Sequence, residues 1–514
     1  MPVTIENLHL GLDEDLQEKL TLMVGEVADH RVLKQSVDAR RGRAPQFILS
    51  VEVAKKGEVL PPHRHIVTPL TPQNREFEKP IVIGTGPAGL FCALRLAERG
   101  LPCTILERGS AAEKRIMGIN RFWRYGELNP DNNVCIGEGG AGLYSDGKLI
   151  TRIKSPHIPY VLNRMVKYGA PGEIEYLANP HVGSDKIRRI IPRLRQHLLE
   201  LGCEIHFNTA FSELLTSDSQ VRGVRTRCGR EFFSSRVIVA TGHSAEDVLQ
   251  HFANVGVKME GKSFAMGLRI EHPQALINSI QYREWADHPK LKAANYKLTH
   301  HDHQTGVGVY SFCMCPGGFV LSSGTEADGL VVNGMSNYHR NSPFANSAIV
   351  VTMDHDKLFG SNLFGGLQMR RELEQRAYQA VKMAGGTKQL PTQRLTDFIE
   401  GRASRTLLAT SSPSGILPAR LDQLLPQNLL TPLREGLLNF PRKMKGFLTE
   451  DAQLYGVESR TSCPVRVTRH EVTLQSLSHP GLYPAGEGAG YAGGITSAAC
   501  DGVQIAERIF QEHL

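Results

Sequence analysis

The residues best placed to do chemistry begin at Gly84-Thr85-Gly86-Pro87-Ala88-Gly89, which follows the apolar run Ile81-Val82-Ile83 and opens an apolar stretch of helical character to Glu98. Glycines at this spacing serve a dinucleotide in three ways. Gly84 permits a tight turn, Gly86 lets a pyrophosphate approach the backbone, and Gly89 lets helix and strand pack closely. Pro87 and Ala88 start the helix whose N-terminus would face the phosphates. A second strand, Cys103 to Leu106, ends on Glu107, where a carboxylate can accept hydrogen bonds from an adenosine ribose; Arg108 comes next.

Other stretches match nucleotide motifs without that context. Gly137 to Gly142 and Gly488 to Gly493 both read G-x-G-x-x-G, yet neither is followed by helix, strand and acidic residue. The phosphate-loop match GVKMEGKS, Gly256 to Ser263, runs into the strand-like FAMGLRIEH, so it counts as chance. The glycine-rich segment GEGGAGLYSDGKL, with Gly139 and Gly140 near its start, is a poor former of regular structure. Such a backbone suits close approach to another group, or simply a turn.

Three constellations are candidates for reaction chemistry. In Cys313-Met314-Cys315-Pro316-Gly317-Gly318, the two cysteines sit at the end of a strand, where i and i+2 share a face. They form either a redox pair or a packed turn; the strain of so small a disulfide ring favours the turn. Arg460, in Glu458-Ser459-Arg460-Thr461, can clamp a carboxylate or phosphate bidentately, or pair with Glu458. His300, His301, Asp302 and His303 are read as a polar loop and not a metal site, because four adjacent side chains cannot all aim at one ion.

Elements must position these groups. Residues 1–75 read as a small ferredoxin-like α+β domain: a strand from Val3, a helix capped by Asp13, and strands Arg31 to Val37 and Gln46 to Val53 around a basic loop, Arg40-Arg41-Gly42-Arg43. Prolines 61, 62, 69, 72 and 80 mark a linker. Residues 76–255 and 455–514 read as the dinucleotide domain. Its later stations are the strand ending in Ala240-Thr241-Gly242 and the segment Tyr483-Pro484-Ala485-Gly486-Glu487, which feeds a C-terminal helix. Between them, 256–454 reads as an inserted mixed α/β substrate domain, with strands Phe264 to Ile270, Gly306 to Cys313, Gly318 to Ser322, Gly329 to Asn333 and Ala348 to Met353, and helices Leu367 to Ala384 and Leu430 to Met444.

Composition excludes little. With 41% hydrophobic and 22% charged residues the 514-residue chain is an ordinary globular sequence, and its net charge of +7 does not by itself call for nucleic acid. A nucleic-acid role, RNA-modifying or RNA-binding, through the arginines of the first domain stays open as an alternative. No run of about 18 apolar residues spans a membrane. The start, MPVTIENLHLGLDEDLQ, lacks a basic and an apolar signal region, and nine scattered cysteines suit a cytoplasmic protein with free thiols.

The order of stations, GxGxxG, then Ala-Thr-Gly, then Tyr-Pro-Ala-Gly-Glu with a glycine-rich helix, resembles FAD-binding domains of the glutathione-reductase type. The segments FWRYGELNPDNNVCIGEGGAGLYSDGKL, YSFCMCPGG, NGMSNYHR, GVESRTSCPVRVTR and YPAGEGAGYAGGITSAACDG make the chain similar to the bacterial FAD-dependent dehydrogenase family with an added N-terminal domain. The resemblance implies a Rossmann-like FAD domain and FAD as cofactor. It places Gly486 and Glu487 at the pyrophosphate and ribityl chain, and Gly494, Ile495 and Thr496 at the flavin. Those families usually carry Asp where this chain has Glu487. The family has no agreed substrate, so the expectation is hydride transfer through flavin to or from a small molecule. Lacking a second dinucleotide unit, the chain would meet NAD(P)H only as a transient donor. A thiol-disulfide oxidoreductase using Cys313 and Cys315 is the other alternative.

Overall fold

The computed structural model describes residues 2–40, 42–61 and 78–512; Arg41 and linker prolines 62, 69 and 72 lie outside them. Three residues each, apolar but for Thr104, the segments Ile81–Ile83, Thr104–Leu106 and Val237–Val239 form strands buried on both faces, as parallel strands are. Glu204–His206 flanks them on one edge and Leu482–Pro484 on the other, giving a five-stranded parallel sheet in the order 482, 237, 81, 104, 204. Strand 482–484 thus returns the chain's last segment to a sheet begun four hundred residues earlier.

The helix from this last strand, Ile495–Gln511, lies directly on the fingerprint helix Pro87–Glu98. A Cβ on Gly502 would fall 2.0 Å from the Ala88 carbonyl oxygen, so the helices pack backbone to backbone at this crossing. Pro87 occupies the first helical turn, where its missing N–H is no loss.

A second, seven-stranded sheet runs 299–301, 308–315, 344–353, 264–273, 453–458, 390–394 and 416–418, antiparallel except for its final pair. Its central strand Phe264–Pro273 is buried along nine of ten residues. Helices Gly365–Met383 and Gln427–Asn439 help cover it. Strands expected from Ala348 and to Ile270 extend to Phe344 and Pro273, the helix expected from Leu430 starts at Gln427, and two further boundaries differ for local reasons. The helix expected to reach Met444 stops at Asn439, because Pro441 cannot supply the next helical N–H. The strand expected from Gly329 begins at Val332, since the Gly329 N–H closes a turn onto Glu326 O at 3.2 Å.

At the N-terminus, Val3–Gly11, Val27–Asp38 and Gln46–Lys55 form an antiparallel sheet with the last strand in the middle, and helix Leu16–Val24 crosses between the first two. This is half of a ferredoxin-like pattern. Asp15, not Asp13, caps the helix by accepting from Glu18 N at 2.9 Å, worth about 1 kcal/mol. Arg40 and Arg43 both pair with Asp38, which ties part of the basic loop down.

Candidate functional site

The glycine stations, separated by up to four hundred residues, meet at one place, and their backbones fall into two classes. In the first class the chain presses on itself. A Cβ on Gly84 would lie 2.4 Å from Ala240 O, and one on Gly89 would lie 2.0 Å from Gly84 O. One on Gly486 would reach Ala88 Cβ at 2.8 Å, and one on Gly488 the Gly242 oxygen at 2.5 Å. In the second class the backbone faces open space: a Cβ on Gly86 or Gly242 meets nothing within 4 Å, and on Gly494 only Ser497 Oγ at 3.7 Å. Gly242, Gly493 and Gly494 are exposed although the strands and helix beside them are buried. These open glycines outline a cleft floored by backbone.

Two helix starts border it. Neither the Pro87 helix nor the Ile495 helix has a side chain capping its N-terminus, and both are preceded by glycine, so their first N–H groups are left for an anionic group. The glycine-rich segment closes the third side. Gly139 N donates to Thr85 O at 2.9 Å, and Gly140 abuts Gly86, with a Cβ there 3.2 Å from Gly86 Cα. Gly142 sits between Pro87 and Ile495, linking the two helix starts. Thr496 is buried and donates its hydroxyl to Leu149 O at 2.8 Å.

Glu107 is buried and busy. Its Oε2 accepts from Thr85 N at 2.9 Å and from the Thr85 hydroxyl, and its Oε1 from Gly109 N at 2.8 Å. It therefore pins the fingerprint loop first; of roughly four lone-pair sites on a carboxylate, about one remains for a ligand hydroxyl. Arg108 pairs with Asp131 and Asp247, and Arg227 pairs with the same two carboxylates, so its guanidinium is spent on a surface network.

Sequence reasoning missed Arg115. Fully buried, it donates to five carbonyls: Asn133 (2.7 Å), Val134 (3.0 Å), Gly137 (3.3 Å), Glu138 (2.6 Å) and Gly140 (2.9 Å). One guanidinium thereby shapes the glycine-rich segment that glycine alone would leave floppy. Asp501 was missed too: it accepts from Gly486 N at 2.7 Å while paired with Arg469, fixing the start of the terminal station. Asp501 has a signal, an acid in an apolar helix; Arg115 has none.

Glu487 is desolvated by its surroundings, which push its carboxyl up to about 7 against the opposing charge of Lys262. A raised folded pKa means stability that is full below the ordinary value of 4.5 and is lost as pH rises to about 7. Glu487→Gln is expected to flatten that part of the melting-temperature profile of the FAD-free protein between pH 5 and 7. An unchanged profile would show that Glu487 is not the titrating group.

The cysteine expectation is corrected. Between Phe312 and Cys315 the strand pairing shifts by one residue, a bulge at which Cys313 takes φ +44°, so i and i+2 no longer share a face. Cys315 is buried, its thiol donating to Cys313 O at 3.2 Å, while Cys313 is exposed; both are free. Desolvation nevertheless pushes the Cys313 thiol up to about 12 and raises Cys315 as well. Neither is an activated thiolate, so a reductive titration is expected to take up about two electrons per flavin; about four, falling to two in Cys313→Ser, would restore the redox pair.

Arg460 is also corrected. Its partner is not Glu458, which forms a bidentate pair with Arg269 at 2.9 and 3.0 Å. Arg460 instead donates to Glu374 at 2.9 and 2.7 Å, Glu326 at 2.6 Å, Ser244 at 3.0 Å and Thr325 at 2.6 Å. All five donors are used. Asp302 accepts from Gln304 N and the Thr305 hydroxyl in a turn, and among the described residues no three metal-binding side chains come together. Two small cavities, of about 140 and 150 Å³, lie away from every glycine station; convergence of backbone, not cavity volume, locates the site.

The open glycines and uncapped helix starts fit a dinucleotide, and the comparisons with known proteins agree. The model of an FAD binding domain matches residues 79–116, and that of the FAD-dependent protein, C-terminal domain-like, matches residues 263–461. An uncharacterized protein of Clostridium beijerinckii is 39% identical over 533 residues, covering 100% of this chain and 99% of the relative. Digeranylgeranylglycerophospholipid reductase of Methanosarcina acetivorans is 24% identical over 186 residues, 35% of this chain and 41% of that protein. Among solved structures, FqzB (12% identity, TM-score 0.37, 85% of this chain and 76% of that one) and CtdE in complex with FAD (10%, 0.33, 85% and 90%) superpose too loosely to bear on function. With FAD as its cofactor, the chain belongs to the family of FAD-dependent proteins that it shares, end to end, with the Clostridium protein.

Proposed function

We propose that this protein is an FAD-dependent oxidoreductase that passes a hydride between the flavin and a small-molecule substrate. In this reading residues 76–255 and 455–514 form a glutathione-reductase-type FAD domain, 256–454 supplies the substrate side, and 1–75 is an appended domain. The observation that carries it is the meeting of open glycines 86, 242 and 494 with two uncapped helix starts. FAD, when bound, supplies reversible two-electron chemistry.

The chain's own residues hold and polarise. Backbone at Gly86 and Gly242 admits a group that no Cβ obstructs, and the N–H groups beginning the helices at Pro87 and Ile495 favour negative charge beside them. Asp501 and Arg115 keep Gly486 and the glycine-rich segment in place. Purified protein is expected to be yellow, to release FAD on denaturation, and to bleach on anaerobic reduction; a colourless protein that ignores added FAD would sink the reading. Titration with NADH and with NADPH then decides whether either is the donor.

A further inference from the structure

We propose that Lys148 is a substrate-binding residue: its ammonium, between the start of the terminal helix and the Cys313 bulge, receives a carboxylate borne by a partly apolar substrate. The position relative to flavin rests on the function proposed above; the anion site itself does not.

The location follows from two hydrogen bonds. Leu149 O accepts from the Thr496 hydroxyl at 2.8 Å, which ties the residue after Lys148 to the first turn of the terminal helix. The Lys148 ammonium donates to Met314 O and pairs with Asp146 at 2.9 Å, so it bridges that helix start to the bulge. Its side chain is 32% exposed, against 10% for Arg340 and none for Arg269. Exposed Cys313 beside it and exposed Gly493 and Gly494 at the helix start make this an accessible wall.

Charge says what the wall accepts. Arg269 is matched by Glu458, whereas the buried Asp146 is shared by Lys148 and by Arg340, which donates to it at 3.1 and 2.6 Å. Three cations therefore face two carboxylates, and burial keeps both neighbouring thiols protonated. One positive charge is left over, and Lys148 is the cation with access. An ammonium has three donors, of which two are used. Lys148 keeps its charge, because Asp146 more than offsets the burial that acts against it, and a monoanionic carboxylate balances the one charge left over where a phosphate dianion would overshoot. Arg152, exposed nearby, draws anions toward this wall, and its neighbours Ile150 and Ile153 expose apolar surface for the rest of the molecule.

Benzoate, a carboxylate on an apolar ring, is the probe, with inorganic phosphate as the comparison. In the yellow holoprotein benzoate is expected to perturb the flavin spectrum saturably and to slow the labelling of Cys313 by excess iodoacetamide over hours at pH 9, where a raised thiol still reacts slowly, read by peptide mass, without slowing Cys228. Lys148→Gln should weaken benzoate by about tenfold or more, and Lys148→Arg should keep most of the affinity. Should Lys148→Gln fail to fold, protection of Cys313 in the native chain still decides. Equal binding by Lys148→Gln, or a yellow protein in which benzoate neither shifts the spectrum nor protects Cys313, overturns the proposal. Phosphate binding in preference to benzoate overturns the carboxylate. A colourless protein in which benzoate still protects Cys313 would refute the flavin reading and keep the anion site.

Discussion

Gly86→Val is expected to give a folded protein that binds no FAD. Gly86 has φ −70° and ψ 179°, a conformation open to any residue, and a Cβ there meets no protein atom within 4 Å. The side chain would enter the one space that a pyrophosphate needs at the start of the helix. Gly89→Val is the contrasting control. A Cβ at Gly89 falls 2.0 Å from Gly84 O, far inside contact, so that variant should lose the fold with the cofactor. Flavin absorbance after gel filtration and a circular-dichroism melt separate the outcomes. A Gly86→Val protein that is still yellow, at wild-type stoichiometry, would move the cofactor elsewhere.

That pair of variants also marks what a sequence can show. The fingerprint was legible because strand, glycines, helix and Glu107 are contiguous, and each glycine has a separable reason. The later stations at Ala240 and Gly486 were legible only by their order along the chain; that they touch Gly84 and Ala88 is a fact of the parallel sheet, whose neighbours lie hundreds of residues apart. Side-chain commitments were not legible at all. Whether Glu107 is free for a ribose depends on Thr85 and Gly109, and the shape of the glycine-rich segment depends on Arg115, an arginine that nothing in its own helix distinguishes. The cysteine pair failed for another reason: one inserted residue in the pairing turns alternation over, and bulges leave no compositional mark.

Arg460 carries the second large effect, and here the physics reverses the reading that its type suggests. Arg460→Ala is expected to destabilise the protein by about 3–5 kcal/mol, because it strands Glu374, a carboxylate only 1% exposed, without its partner. Burial works to raise the Glu374 carboxyl, and the charge and hydrogen bonds of Arg460 more than offset it, holding it below the ordinary 4.5. A depressed folded pKa gives stability that is present above the unfolded value and lost as pH falls through the folded one. Without Arg460 only the Arg370 charge and the Ser459 hydroxyl oppose burial, so the carboxyl should rise, and the gap between wild type and variant should be widest near pH 7 and narrow on acidification. Arg460→Lys should rescue little, since three donors cannot replace five spread over Glu374, Glu326, Ser244 and Thr325. The double variant Arg460→Met with Glu374→Met should recover much of the loss, because removing both buried charges is often near neutral. An Arg460→Ala protein that melts like wild type but fails to turn over an anionic substrate would return Arg460 to the role of a clamp.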